Sequence, residues 1–380
     1  MVNERMNILF FYESIGLGGQ QTHTFNLIKS LSKMGHDVSW AYIYGHELRN
    51  NVEKYGKPHR LKSNWSKNSY KNPIKILLLL TKFFLLARKV RPDVVISGSG
   101  IGSFICGLVC RLLKIRHYRL IGCSLKQVEK TLYKYYEVIQ IDRLIDGYFG
   151  WPAVFDELKE KRVPTGKLIE VQPGVDSDMF HPLSVEKVRL AKDKLKIKDK
   201  CLVIGWIGRI SLDMQVKNTF EMAKYLKKLG FEEFIVLYVG GGSWLDELRE
   251  KTEAAGLTDK SVFTDWVHMD EVNLYINMMD VVPMLEDDPH GGSIVREAMA
   301  CAKVVISVDG KSGVQKAIMK SDNSILLDDI DYIAKAAVKV IELNANKSLC
   351  SFLGENARSF VEQNLSFEKQ AKVILEAVVK

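Results

Sequence analysis

Short unbroken apolar runs alternate along the chain with stretches in which apolar residues recur every three or four positions. The first run, Met6–Tyr12 (MNILFFY), shows no polar alternation, which predicts a strand buried on both faces, as in a parallel sheet. Glycines at 16, 18 and 19 interrupt it. Phe25, Leu27, Ile28 and Leu31 then follow at helical spacing and predict a helix over 22–34, closed by Gly35. Asp37–Tyr44 (DVSWAYIY) predicts the next strand. Strand, glycine turn, helix and strand make the repeating unit of a doubly wound sheet. An amphipathic helix over 73–91, a strand over 93–97, a helix over 103–113 and short strands at 148–150 and 169–171 are expected after it.

The polar, lysine-rich stretch 164–200 predicts an inter-domain linker, and the alternation restarts beyond it. Strands are expected at 201–207 (CLVIGWI), 234–239 (FIVLYV), 261–263, 281–285 and 304–308, with helices at 217–229, 244–255, 270–278 and 293–302. Two such series predict two α/β domains with parallel sheets, and 380 residues suffice for both cores. The expected division is 1–185 and 186–360, with a C-terminal helix over 361–380 that can cross back to the first domain. Ligands of such sheets bind at the carboxyl ends of the strands, so a cleft shared by the two domains is the expected site.

Composition adds little: 47% hydrophobic and 26% charged residues are ordinary for a globular chain. Cys106, Cys110, Cys123, Cys201, Cys301 and Cys350 show no paired spacing and mostly lie in apolar runs, which predicts buried free thiols in a reducing, cytoplasmic setting. The longest apolar run, 74–87, is broken by Lys75 and Lys82 and is too short to span a bilayer. Charge changes the picture more. Residues 51–134 hold 18 Lys and Arg against 3 Asp and Glu. A solvated basic surface is the plain reading. Confinement of the excess to one segment favours attraction to an anionic partner: a membrane surface, a lipid-linked phosphate or an acidic glycan. No base-reading motif accompanies the charge, so nucleic acid is not expected.

Three places carry candidate chemistry. Gly18 and Gly19 precede the first helix, where backbone amides and the helix dipole favour a phosphate. Arg209 follows the strand CLVIGWI and Lys217 opens the next helix; two cations at a strand's carboxyl end suit a diphosphate, including one that departs. Asp288, His290, Gly291, Gly292 and Ser293 lead into a helix carrying Glu297, a carboxylate placed to accept hydrogen bonds from sugar or ribose hydroxyls. Capping of that helix by Ser293 is the plainer explanation there. The Asp pairs at 287–288 and 328–329 lack a His/Cys/carboxylate constellation, so no metal is expected.

Taken in order, these pieces are more specific. The chain resembles the retaining GT-B enzymes of glycosyltransferase family 4 in GGQQTHTFNLIKSLSKMGHDV, VQPGVDSDMFHP, IGRI…VKNTFEMAKYLKKL, VLYVGGGSWLDELREKTEAAGL, VFTDWV and REAMACAKVVIS. The resemblance implies a GT-B architecture, two Rossmann-like domains facing a central cleft. It also implies a nucleoside-diphosphate sugar as co-substrate, with no separate cofactor or metal, and a glycan or lipid-linked acceptor. Arg209 and Lys217 match the diphosphate-binding pair, Glu297 the second acid of E-x7-E, Gly18–Gly19 the phosphate loop, and 262–267 the base-binding segment. The chain departs from the pattern at Pro289, which stands where the first acid of E-x7-E falls, with Asp288 its replacement if the loop carries one more residue. Three residues are inserted before Lys217, Lys316 stands at a glutamate position, and Gly122 stands near a histidine position. These departures admit a second expectation, a non-catalytic GT-B subunit that binds a sugar nucleotide or glycan.

Overall fold

The computed structural model describes residues 4–16, 19–61, 72–98, 100–122, 141–160, 163–212, 216–285, 292–309, 317–328 and 330–379. The chain divides into two compact units: Met1–Gly174 together with Phe367–Lys380, and Val175–Ser366.

The first unit is built on seven parallel strands: β1 (Asn7–Phe11), β2 (Asp37–Tyr42), β3 (Lys57–Arg60), β4 (Val94–Ser97), β5 (Arg116–Leu120), β6 (Gly147–Gly150) and β7 (Leu168–Glu170). Their order is β3-β2-β1-β4-β5-β6-β7, which reverses direction between β1 and β4. Among the described residues, five helices join them: α1 (Gly19–Lys33), α2 (Arg49–Glu53), α3 (Pro73–Val90), α4 (Gly100–Leu113) and α5 (Pro152–Glu160). The unbroken apolar run of β1 has its reason in the two layers. Ile8 and Phe10 pack with Leu27, Ile28 and Leu31 of α1. Leu9 and Phe11 pack on the other face with Leu79 and Phe83 of α3.

Helix α13 (Phe367–Val379) belongs to this unit although it follows the second unit in sequence. Phe367, Ala371, Ile374, Leu375 and Val378 recur at helical spacing and complete the α1-side core. The Tyr118 hydroxyl donates to the Ala377 carbonyl at 3.2 Å, and the Arg116 guanidinium donates to the Val378 carbonyl.

Strand β5 (RHYRL) has no apolar run, yet it lies inside the sheet between β4 and β6. Local partners explain this. His117 is buried; its Nδ1–H donates to the Leu144 carbonyl at 3.0 Å. Its Nε2 therefore accepts from the Ser97 hydroxyl at 2.9 Å, and Ser97 is 2.9 Å from Ser103. Burial pushes His117 down from 6.5 to about 4, against the opposing pull of the Leu144 hydrogen bond and Asp146. The unfolded chain then binds a proton that the folded chain refuses. Stability should be fully present above pH 6.5 and fall by up to roughly 3 kcal/mol as pH drops towards 4. Melting curves from pH 7 to 4 should show a shallower decline for His117→Gln than for the native chain. Equal declines would show that His117 does not cause the loss.

The second unit holds six parallel strands: β8 (Leu202–Ile207), β9 (Phe234–Val239), β10 (Ser261–Phe263), β11 (Val281–Met284), β12 (Val304–Val308) and β13 (Ile325–Leu327). The order is β10-β9-β8-β11-β12-β13. Its helices are α6 (Val185–Lys194), α7 (Val216–Lys228), α8 (Leu245–Ala254), α9 (Val272–Met278), α10 (Ser293–Ala300), α11 (Tyr332–Ala345) and α12 (Lys347–Asn364). Two layers again cover the sheet, one centred on Trp206, Phe220 and Tyr238, the other on Val203, Leu237 and Met299. The stretch 164–200 is not linker throughout, because it contains β7 and α6, the latter capped by the Ser184 hydroxyl. The expected fold class, two α/β Rossmann-like domains with parallel sheets, is what each unit shows.

Candidate active site

In the second unit the strand order reverses between β8 and β11, since β9 and β10 extend one way and β12 and β13 the other. At such a switch point the connections leave in opposite directions and open a crevice at the carboxyl ends. Arg209 and Lys217 lie beside it. Gly208 follows β8 at φ 141°, a backbone region that suits glycine, and its N–H donates to the Val239 carbonyl at 2.9 Å. Ile210 is fully buried and its N–H donates to the Gly241 carbonyl at 2.9 Å. Arg209 stands exposed between these two anchors. Lys217 is the second residue of α7, also exposed, flanked by the fully buried Val216. Its other neighbour, Asn218, donates from Nδ2 to the Leu285 carbonyl at 2.6 Å. That bond fastens the start of α7 to the residue just after β11. The two cations are thus presented from the connection between β8 and α7, each next to anchored backbone.

Glu297 lies one turn into α10, the helix that follows β11 in the chain. Ser293 does not cap this helix. Gly292 occupies the cap position at φ 34° without a side-chain bond, and the Ser293 hydroxyl instead bonds the Glu297 carboxyl. Burial raises the Glu297 carboxyl above its usual range, while the neighbouring Arg296 and the Ser293 bond pull it back. Asp288, His290 and Gly291 lie outside the described residues, as do Gly18, Pro289 and Lys316. The structure therefore brings Arg209, Lys217, Gly292, Ser293 and Glu297 to loops and helix starts that follow β8 and β11. Gly19, the first residue of α1, lies at the equivalent end of the first unit's sheet.

One element of the site has no place among the candidate residues. Gly240, Gly241 and Gly242 follow β9 and lace the loops together. A Cβ on Gly240 would stand 2.0 Å from the Gly208 carbonyl oxygen, and one on Gly242 would stand 2.3 Å from that of Ile210. The Gly240 N–H donates to the Asp265 carbonyl at 3.0 Å, which ties in the segment after β10. The available signal was the glycine triplet directly after a strand, where close backbone approach is the usual cause. For Asn218 nothing in the sequence marked its reach to Leu285. Gly122 lies beside Gln20 and Trp151 in the first unit, while His117 is buried in the sheet.

Among the described residues there is no group of three His, Cys, Asp or Glu side chains that could hold a metal ion. No helix among them is long and apolar enough to cross a membrane.

Comparison with known proteins places these features. Residues 188–360 match the domain family Glycosyl transferases group 1, and residues 17–121 match Glycosyltransferase Family 4. An uncharacterized glycosyltransferase of Methanocaldococcus jannaschii is 26% identical over 202 residues, 51% of this chain and 50% of that one. The chain thus spans about half the length of that relative. A capsular polysaccharide biosynthesis glycosyltransferase of Staphylococcus aureus is 23% identical over 76% of both chains. The solved structure of Anabaena HepE in complex with UDP and glucose is similar in fold, with a TM-score of 0.81 at 14% identity, over 99% of this chain and 100% of that one. The chain has the GT-B fold, and parts of its first and second units are similar to the glycosyltransferase family 4 and glycosyl transferases group 1 domains respectively.

Proposed function

We propose that the protein transfers a sugar from a nucleoside-diphosphate sugar to a glycan, lipid-linked or other anionic acceptor, with retention of the anomeric configuration. The reading rests on one observation above all: two exposed cations, Arg209 and Lys217, held by anchored backbone at the switch point of the second sheet. A diphosphate there would be bound as substrate and stabilised as leaving group by the same pair. That pair supplies the positive charge the departing diphosphate needs, so the proposed reaction is metal-independent. Glu297 would accept hydrogen bonds from the ribose of the donor. No residue is assigned as a covalent nucleophile. In retention by front-face attack the leaving diphosphate takes the acceptor's proton, and the protein contributes positioning and charge. The UDP and glucose bound by Anabaena HepE support a nucleotide-sugar donor. The capsular relative supports a cell-surface glycan product, and we place its synthesis on the cytoplasmic side of a membrane. UDP and GDP sugars are the proposed donors.

Thermal shift against UDP-, GDP- and ADP-sugars tests this. A donor at about a hundred times its Kd should add roughly 2.7 kcal/mol to the folded form. The shift should appear with one nucleotide series and vanish in Arg209→Ala and Lys217→Ala. Absence of any shift with well-folded native protein would reject the donor assignment.

A further inference from the structure

We propose that α3 and α4 of the first unit form a surface that docks on an anionic lipid bilayer. The proposal goes beyond the donor reading and is independent of it. Helix α3 (PIKILLLLTKFFLLARKV) buries Leu79, Phe83 and Ala87 against the sheet. A core helix would leave its opposite face polar. Here Ile74, Leu78 and Leu85 stand on that face at 68%, 53% and 60% exposure. At 100° per residue their directions fall within about 40° of one another, so they form one stripe. Leu77, 64% exposed, widens it. Helix α4 packs against α3 and leaves Leu112 exposed at 71%, with Leu108 a turn before it. Single exposed leucines are ordinary on soluble proteins, but a stripe of them on two adjoining helices is not.

Charge selects the occupant. Lys75, Lys82 and Lys89 recur every seven residues along one margin of the α3 stripe, and Arg88 stands on the other. Arg111 on α4 and Lys114 just beyond it are exposed as well. Neither helix contains an acidic residue. Apolar side chains framed by cations suit the boundary between acyl chains and anionic headgroups: the leucines enter the hydrocarbon and the lysine stems reach up to phosphates. A second copy docking through the same stripe would set cation against cation, which disfavours a self-interface.

Co-sedimentation of the full chain with phosphatidylcholine vesicles, with and without phosphatidylglycerol, tests the surface. Binding is expected to the anionic vesicles, to weaken with added salt, and to fall at least about tenfold in Leu78→Asp/Leu85→Asp. Arg88→Glu/Lys89→Glu should also weaken it. Both variants should keep the nucleotide-induced thermal shift of the native chain, since the donor cations lie in the other unit. No binding to anionic vesicles, or binding unchanged in both variants, would overturn the proposal. So would conversion of a dimer to monomer by the aspartate variant, which would make the stripe a copy-to-copy interface. Loss of the nucleotide shift in the native chain, with vesicle binding intact, would count against the donor site alone.

Discussion

Arg209→Ala is expected to lower kcat/KM for sugar transfer by about a hundred- to a thousandfold, the usual cost of removing one charged stabiliser of a departing anion. Most of the loss should fall on kcat, because charge on the diphosphate grows as the glycosidic bond breaks. Lys217→Ala should cost a similar factor. Arg209→Lys should recover only part, since an ammonium keeps the charge and loses the planar fork that fits two phosphate oxygens. The side chain is exposed and its neighbours Gly208 and Ile210 are held by backbone bonds, so the alanine variant should fold normally. Unchanged kcat/KM in both alanine variants, measured once the donor is known, would remove the pair from the mechanism.

Gly240→Ala is expected to destabilise the second unit by roughly 2–5 kcal/mol, from backbone strain and overpacking together. Gly240 sits at φ 129°, where an L side chain is strained, and its added Cβ would meet the Gly208 carbonyl oxygen at 2.0 Å. Neither atom can yield cheaply, because Gly208 is bonded to Val239 and Gly240 to Asp265. Any relaxation moves Gly208 and so re-aims Arg209. Donor affinity should therefore fall along with the melting temperature. Gly230→Ala offers a control: its φ is also positive, at 74°, but nothing stands within 4 Å of the added Cβ. Equal destabilisation by the two substitutions would show that strain alone, without the close approach, sets the cost.

The strands that read clearly in the sequence are those buried on both faces. MNILFFY, DVVIS, CLVIGWI, FIVLYV and the run before Asp309 each became a parallel strand because neither face needed polar residues. Strand β3 (KPHR) was not legible, because an edge strand paired only to β2 needs no apolar run. Nor was β5, where His117 and Arg119 are buried and the satisfaction of the His117 ring depends on Ser97 and Leu144, distant in sequence. Helix α6 was hidden inside a lysine-rich stretch: Ala191 is its one buried residue, so its periodicity is weak. At the site, residue type and position after a strand marked Arg209 and Lys217 as candidates, and the family-like segment IGRI…VKNTFEMAKYLKKL singled them out. The glycine triplet after a strand signals a close backbone approach but not its partner, because the approach joins loops some thirty residues apart, roughly the length of one strand–helix–strand unit. Ser293 reads as a cap in sequence and is not one, since the chain turns into α10 through Gly292.

The return of the chain to its first unit has a consequence for the order of events at the ribosome. The core beside α1 needs Phe367, Ala371, Ile374, Leu375 and Val378, which are made long after the rest of that core. The second unit, Val175–Ser366, is complete in sequence before them. Domains generally fold as units as they emerge, the earlier first. Here the later one can close its core while the earlier still exposes the α1-facing side of its sheet. The first unit must therefore wait, partly open, for its own final segment. A stalled or prematurely ended chain would release a finished second unit tethered to an unfinished first. Chaperone binding during synthesis should concentrate on the α1-facing apolar surface until α13 arrives.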